Sequence, residues 1–176
     1  MELSLTRPLC FFDLETTGVN VAKDRIVEIS ILKVFPNGNK EAKTWLVNPE
    51  MPIPPQTTAV HGITDEKVAN EPTFKQLSKQ VNDMIKGSDL AGFNSDRFDI
   101  PLLAEEMLRA GIDVDFKKQL TVDVQTIFHK MEKRNLTAAY SFYCGKNLEN
   151  AHSAAADTTA TYEVLKAQIE KYDELE

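Results

Sequence analysis

The chain has 176 residues, 42% of them hydrophobic and 27% charged, with a net charge of −7. The length suffices for one domain with a sizeable core, and the composition is that of an ordinary soluble globular protein. The acidic balance argues against a grip on long duplex DNA through many phosphates, though not against a short single strand or a contact made through bound metal ions.

Residues 8–15 form a nearly continuous apolar run, which suits a central strand. "RIVEISILKVF" (Arg25 to Phe35) is rich in β-branched residues and reads as a second strand. "PNGN" (Pro36 to Asn39) predicts a hairpin turn, because Asn37 and Gly38 tolerate positive φ. "KEAKTWLVNP" (Lys40 to Pro49) is then the return strand, completing a three-stranded antiparallel meander. The proline-rich stretch Asn48 to Thr64 is expected to be an ordered loop. Phe74, Leu77, Val81, Met84 and Ile85 keep helical spacing between Pro72 and Gly87. "DLAGFN" (Asp89 to Asn94) reads as a short buried strand. Phe98 to Gly111 reads as a helix with Pro101 in its first turn. Gln119 to Phe128 begins as a strand, Leu136 to Gly145 is a short helix, and a last helix runs from about Ser153 to Glu170. The succession predicts a single α/β domain over residues 1–176, a mixed five-stranded sheet flanked by helices. No apolar run approaches the roughly 20 residues of a membrane helix. "MELSLTRPLC" lacks the features of a signal peptide, so a cytoplasmic address without membrane contact is expected. Cys10 and Cys144 read as reduced core thiols.

Three of these elements carry acids where a core is expected. Successive strand residues face opposite ways, so Asp13 and Glu15 share a face, their α-carbons ~7 Å apart. Two like charges there call for cationic partners, a protonated carboxyl, bound cations, or a strand end that reaches solvent. In the last helix, Ala160, Thr161, Val164 and Leu165 form one stripe, and Asp157 falls inside it. A fraying first turn favoured by the helix dipole is the plainer explanation there. Asp99 follows a strand at the start of a helix, a position open to an N-cap or to a ligand crevice. One cause covers all four acids: hard divalent cations held by oxygen, chiefly Mg²⁺ or Mn²⁺. No Cys/His cluster has zinc-site spacing.

"FDLETTG" (Phe12 to Gly18), "NSDRFD" (Asn94 to Asp99) and "HSAAAD" (His152 to Asp157), with "VHGIT" (Val60 to Thr64) between the first two, resemble the motifs of the DEDDh 3′→5′ exonucleases. This superfamily includes the proofreading ε subunit of bacterial DNA polymerase III and RNase T. The resemblance spans about residues 9 to 170 and implies a ribonuclease H-like fold. It also implies hydrolysis of a terminal phosphodiester, with release of nucleoside 5′-monophosphates, using two Mg²⁺ or Mn²⁺ ions. Asp13 would serve both ions, Glu15 and Asp157 one, and Asp99 the other. His152 would be the general base, since imidazole suits proton transfer near neutral pH. Five helical residues turn about 500°, so His152 is expected in the loop before the helix that carries Asp157.

The same resemblance suggests that Thr16, Thr17 and Gly18 hold the terminal nucleotide, with turn chemistry as the alternative. His61 and Ile63 would line the path of the last bases, or form a structural loop. Asn94 and Phe98 of the second motif are expected substrate contacts, although Phe98 also suits core packing. Asp123, an acid in a strand, reads as supporting or structural. Lys130 to Arg134 reads as a solvated face. Phe93 stands where many members have His, which bears on substrate preference. The sequence ends at Glu176 soon after the last helix, so a stand-alone or trimmed domain is expected rather than a complete replicative proofreader. A single-stranded 3′ end is the expected partner, DNA favoured over RNA, with a polymerase partner left open. The alternatives are a ribonuclease or oligoribonuclease, and a module that binds nucleic acid without cutting it.

Overall fold

A computed structural model describes residues 2–175; Glu176, the last residue of the sequence, lies outside them. The first strand, β1 (Leu9–Thr16), pairs antiparallel with β2 (Ile26–Val34) on one side and parallel with β4 (Asp89–Gly92) on the other. β3 (Lys40–Leu46) adds antiparallel to β2, and β5 (Thr121–Asp123) adds parallel to β4. The order is β3-β2-β1-β4-β5, so β1 is central, as its apolar run requires.

Alternation decides what each face does. Cys10, Phe12 and Leu14 of β1 and Ile29 and Ile31 of β2 enter the main core. There they meet α3 (Phe74–Ile85) through Phe74, Leu77, Val81, Met84 and Ile85, and α4 (Ile100–Arg109) through Leu102, Leu103 and Met107. Each such side chain contributes about 2 kcal/mol on burial. α3 starts with a capping box, in which Thr73 and Gln76 satisfy each other's backbone amides. A buried ion cluster ties α4 to the loop after β1: Glu106 pairs with the Arg25 Nε and, at 2.6 Å, with Arg109.

Two stretches differ from expectation. The proline-rich segment is not all loop: it contains α1 (Pro55–His61), followed by α2 (Asp65–Val68). Pro55 at the first helical position needs no amide partner, and Gly62 closes α1 in the left-handed conformation at φ 75°. After β5 the chain turns at once into α5 (Val124–Met131). The chain divides into two compact units, Met1–Thr126 and Ile127–Glu176. In the second, α6 (Leu136–Cys144) packs on α7 (Ala154–Lys171), with Tyr140 donating to Glu163 at 2.6 Å. Among the described residues no helix is long and apolar enough to cross a membrane.

Candidate active site

Asp13 and Glu15 lie on the β1 face opposite Phe12 and Leu14, and pairing sets their neighbours. Asp13 stands across from Ser30, and Glu15 across from Glu28. Like charges directly opposite destabilise a sheet, so the strand tolerates this face because the other is anchored in the core. Burial, then Asp13 and Glu28, push the Glu15 carboxyl above its usual range, while His61 works the other way. Glu28 was not singled out from sequence. The alternation in "IVEIS" was a signal, but only the register brings Glu28 to Glu15.

The loop after β1 is tightly bonded to itself. Thr16 Oγ1 donates to the Gly18 carbonyl at 2.6 Å. Thr17 Oγ1 donates to Asp24 at 2.9 Å and accepts the Arg25 amide at 3.0 Å. Both hydroxyls are thus engaged in turn chemistry, the alternative raised for them above. His61 is engaged as well. Its Nδ1 accepts the Ile63 amide at 3.1 Å, which leaves the proton on Nε2 to donate to the Thr16 carbonyl at 3.0 Å. Ile63 corrects an expectation. It is 6% exposed and packs with Val27, Ile53 and Val68, so its side chain lines no path for a base.

Asp99 arrives by a different route. The Asn94 backbone is left-handed, at φ 59° and ψ 26°. A single π-helical turn, Ser95–Asp99, follows and runs into α4. The turn lies against β1 because Gly92 has no side chain: a Cβ there would sit 2.6 Å from Ser95 Cβ and 3.3 Å from the Phe12 carbonyl. Asp99 is 5% exposed, takes helical backbone angles and makes no capping hydrogen bond, which removes the N-cap explanation. Its carboxyl is pushed up to about 7, first by burial and then by Asp13, Glu15 and Asp123. An acid this costly to ionise, beside two others, is a marker of a working site. Phe98 packs partly against the main core.

In the second unit, His152 occupies the turn before α7, with φ 72°, and Asp157 lies in the first turn of the helix. The His152 amide donates to the Asp157 carboxylate at 3.2 Å. Ala160 and Val164 of the expected stripe are buried, whereas Thr161 and Leu165 stay exposed. The stripe is therefore narrower than its spacing suggests.

Asp13, Glu15 and Asp99 offer only hard oxygen donors, and among the described residues no ion pair reaches the buried, uncapped Asp99. This chemistry fits Mg²⁺ or Mn²⁺. Among the described residues, no three His, Cys, Asp or Glu side chains converge closely enough to cage an ion as they stand.

Comparison with known proteins identifies a family and a fold. The RNase T family model, described as an exonuclease, matches residues 10–165. The chain is 29% identical over 166 residues to the PolC-type DNA polymerase III of Clostridium perfringens, covering 93% of this chain and 11% of that protein. It is 28% identical over 170 residues to the DNA polymerase III subunit epsilon of Treponema pallidum, covering 90% of this chain and 74% of that protein. It thus spans only a small part of the PolC-type relatives. A zinc-bound crystal structure of E. coli exonuclease I with single-stranded DNA superposes with a TM-score of 0.64 at 19% identity, covering 91% of this chain and 39% of that one. That likeness shows the fold, a ribonuclease H-like sheet with its helices.

Proposed function

This chain belongs to the RNase T exonuclease family, and from that premise we propose that it hydrolyses the terminal phosphodiester of nucleic acid from the 3′ end. Single-stranded DNA is the preferred substrate, and nucleoside 5′-monophosphates are the product. The observation that carries the reading is the buried, uncapped Asp99, pushed up to about 7 beside Asp13 and Glu15. The names of the polymerase III relatives and the DNA-bound exonuclease I support DNA over RNA and a replication partner, and the cytoplasmic address rests on the sequence alone. The family match runs over residues 10–165, which supports a single exonuclease domain.

Two Mg²⁺ or Mn²⁺ ions would be held by Asp13, Glu15 and Asp99 and, as the motifs imply, by Asp157. Bound there, they would polarise the phosphate and offset the negative charge of the acids and of the reaction. The protein's own part is to orient and to move a proton. His152 accepts the proton of the attacking water, and its place in a turn outside α7 leaves the ring free of the helix. The Thr16–Gly18 loop would meet the terminal nucleotide, as its motif implies, while its hydroxyls and its three carbonyls are held within the protein. His61 steadies that loop at the Thr16 carbonyl, and Asn94 opens the turn that ends in Asp99.

The test is a time course on 5′-labelled single-stranded DNA and RNA of equal sequence, with Mg²⁺, with Mn²⁺ and with EDTA. A DNA ladder shortening from the 3′ end and abolished by EDTA is expected. Faster loss of RNA would select a ribonuclease, and binding without cutting would select a non-catalytic module. Asp13→Ala and His152→Ala should each lower turnover at least ~10²-fold. Near-normal turnover in either variant removes that residue from its role.

A further inference from the structure

Asp123 is an acid that the proposed chemistry does not use. It ends β5 in register with Gly92, the last residue of β4, and it is 7% exposed. A buried carboxylate without a cation needs another reason to be there. The structure supplies one in three backbone amides. Asp123 Oδ1 accepts the Asn94 N–H at 2.9 Å and the Gln125 N–H at 3.0 Å, and Oδ2 accepts the Asp96 N–H at 3.2 Å. These bonds hold the carboxyl below its usual range, although burial acts the other way.

Two of the three donors belong to the turn that delivers Asp99. Asn94 is left-handed and Asp96 lies inside the π-helical turn, so neither amide has a strand or helix partner ahead of it. Asp123 reaches across from the neighbouring strand to provide both, with charge-assisted bonds. Three residues later on the same turn sits Asp99. Gly92 lets the turn approach β1, and Asp123 holds it from the β5 side.

We infer that Asp123 is a positioning residue: its carboxylate clamps the Asn94–Asp96 backbone so that Asp99 is presented toward the cation site. The inference rests on the metal-dependent reading above. It also explains why aspartate stands there. Asparagine would keep one acceptor oxygen and turn an NH₂ group toward the other amide, leaving that N–H facing a donor.

The experiment compares the wild-type chain with Asp123→Asn. Mn²⁺ binding to metal-free protein is followed by electron paramagnetic resonance, and kcat and KM are measured on a single-stranded DNA oligonucleotide across Mn²⁺ concentrations. Amide exchange of Asn94 and Asp96 is followed by NMR, and thermal unfolding is recorded. D123N is expected to stay cooperatively folded and to exchange faster at these two amides. It should bind Mn²⁺ about 10-fold more weakly, in line with losses of supporting contacts around metal ligands. Its kcat should fall and recover in excess Mn²⁺, while KM for the oligonucleotide is kept. Unchanged Mn²⁺ affinity overturns the inference. Loss of the cooperative fold also overturns it, because the carboxylate then serves the whole unit rather than the turn. Failure of the parent reading looks different: the wild type itself neither binds Mn²⁺ nor shortens the oligonucleotide.

Discussion

Replacing Asp99 with asparagine should stabilise the metal-free protein at alkaline pH. The Asp99 carboxyl is raised from an ordinary 3.8 to about 7. At ~1.36 kcal/mol per unit, ionising it in the folded chain costs about 4 kcal/mol more than in the unfolded chain. Water and relaxation around the site reduce this to about 2 kcal/mol. The sign follows from the direction of the shift. Below the unfolded value the acid is protonated in both states and costs nothing. As pH rises from there through about 7, the unfolded chain ionises first and the folded state loses stability, fully so above 7. D99N carries no charge and escapes the loss. The assay is urea unfolding in EDTA at pH 4 and pH 8, read by fluorescence. The one tryptophan, Trp45, packs against the core of the unit that holds Asp99 and reports on that unit. D99N should exceed the wild type by about 2 kcal/mol at pH 8, and the gap should close toward pH 4. Mn²⁺ should raise the wild type at pH 8 more than it raises D99N. Equal stabilities at pH 8, or a gap that ignores pH, would refute the argument that a strained carboxylate awaits a cation.

The scaffold around the site is testable in the same way. Glu106→Ala leaves the Arg25 and Arg109 guanidinium groups without their shared partner and should cost about 3 kcal/mol in the Trp45-detected urea transition. A loss under about 1 kcal/mol would mean that solvent already neutralises the cluster. Gly92→Ala drives a methyl into Ser95 and should cost about 1–3 kcal/mol while lowering turnover by about 10-fold or more through displacement of Asp99. Ser95→Gly in the same chain removes the atom it strikes and should restore part of both. No rescue would show that the close approach to the Phe12 carbonyl, and not Ser95, is what excludes a side chain.

Much of the fold was legible because its signals are local. The apolar run of β1, the helical spacing of α3 and the Pro and Gly punctuation each report on a few neighbouring residues. So do the D-x-E spacing at Asp13 and Glu15 and the five-residue step from His152 to Asp157. α1 was missed because its prolines read as loop, whereas Pro55 only needed to stand first in the helix. Other features depend on residues far apart in the chain. Glu28 faces Glu15 only through the register of β1 on β2. Thr17 and Ile63 fit a substrate loop by motif, yet partners outside the motifs claim their side chains: Asp24 and Arg25 for Thr17, and Val27 and Ile53 for Ile63. Asp99 could be an N-cap or a ligand by position, and helical backbone angles without a capping bond removed the first of these. Asp123 shows the division most clearly. Its sequence shows an acid in a strand, and only the packing of β5 beside β4 shows that two amides of the Asp99 turn end on it. Periodicity is written in neighbouring residues. The partner of a buried polar group is set by whichever segment the tertiary fold brings within hydrogen-bonding distance.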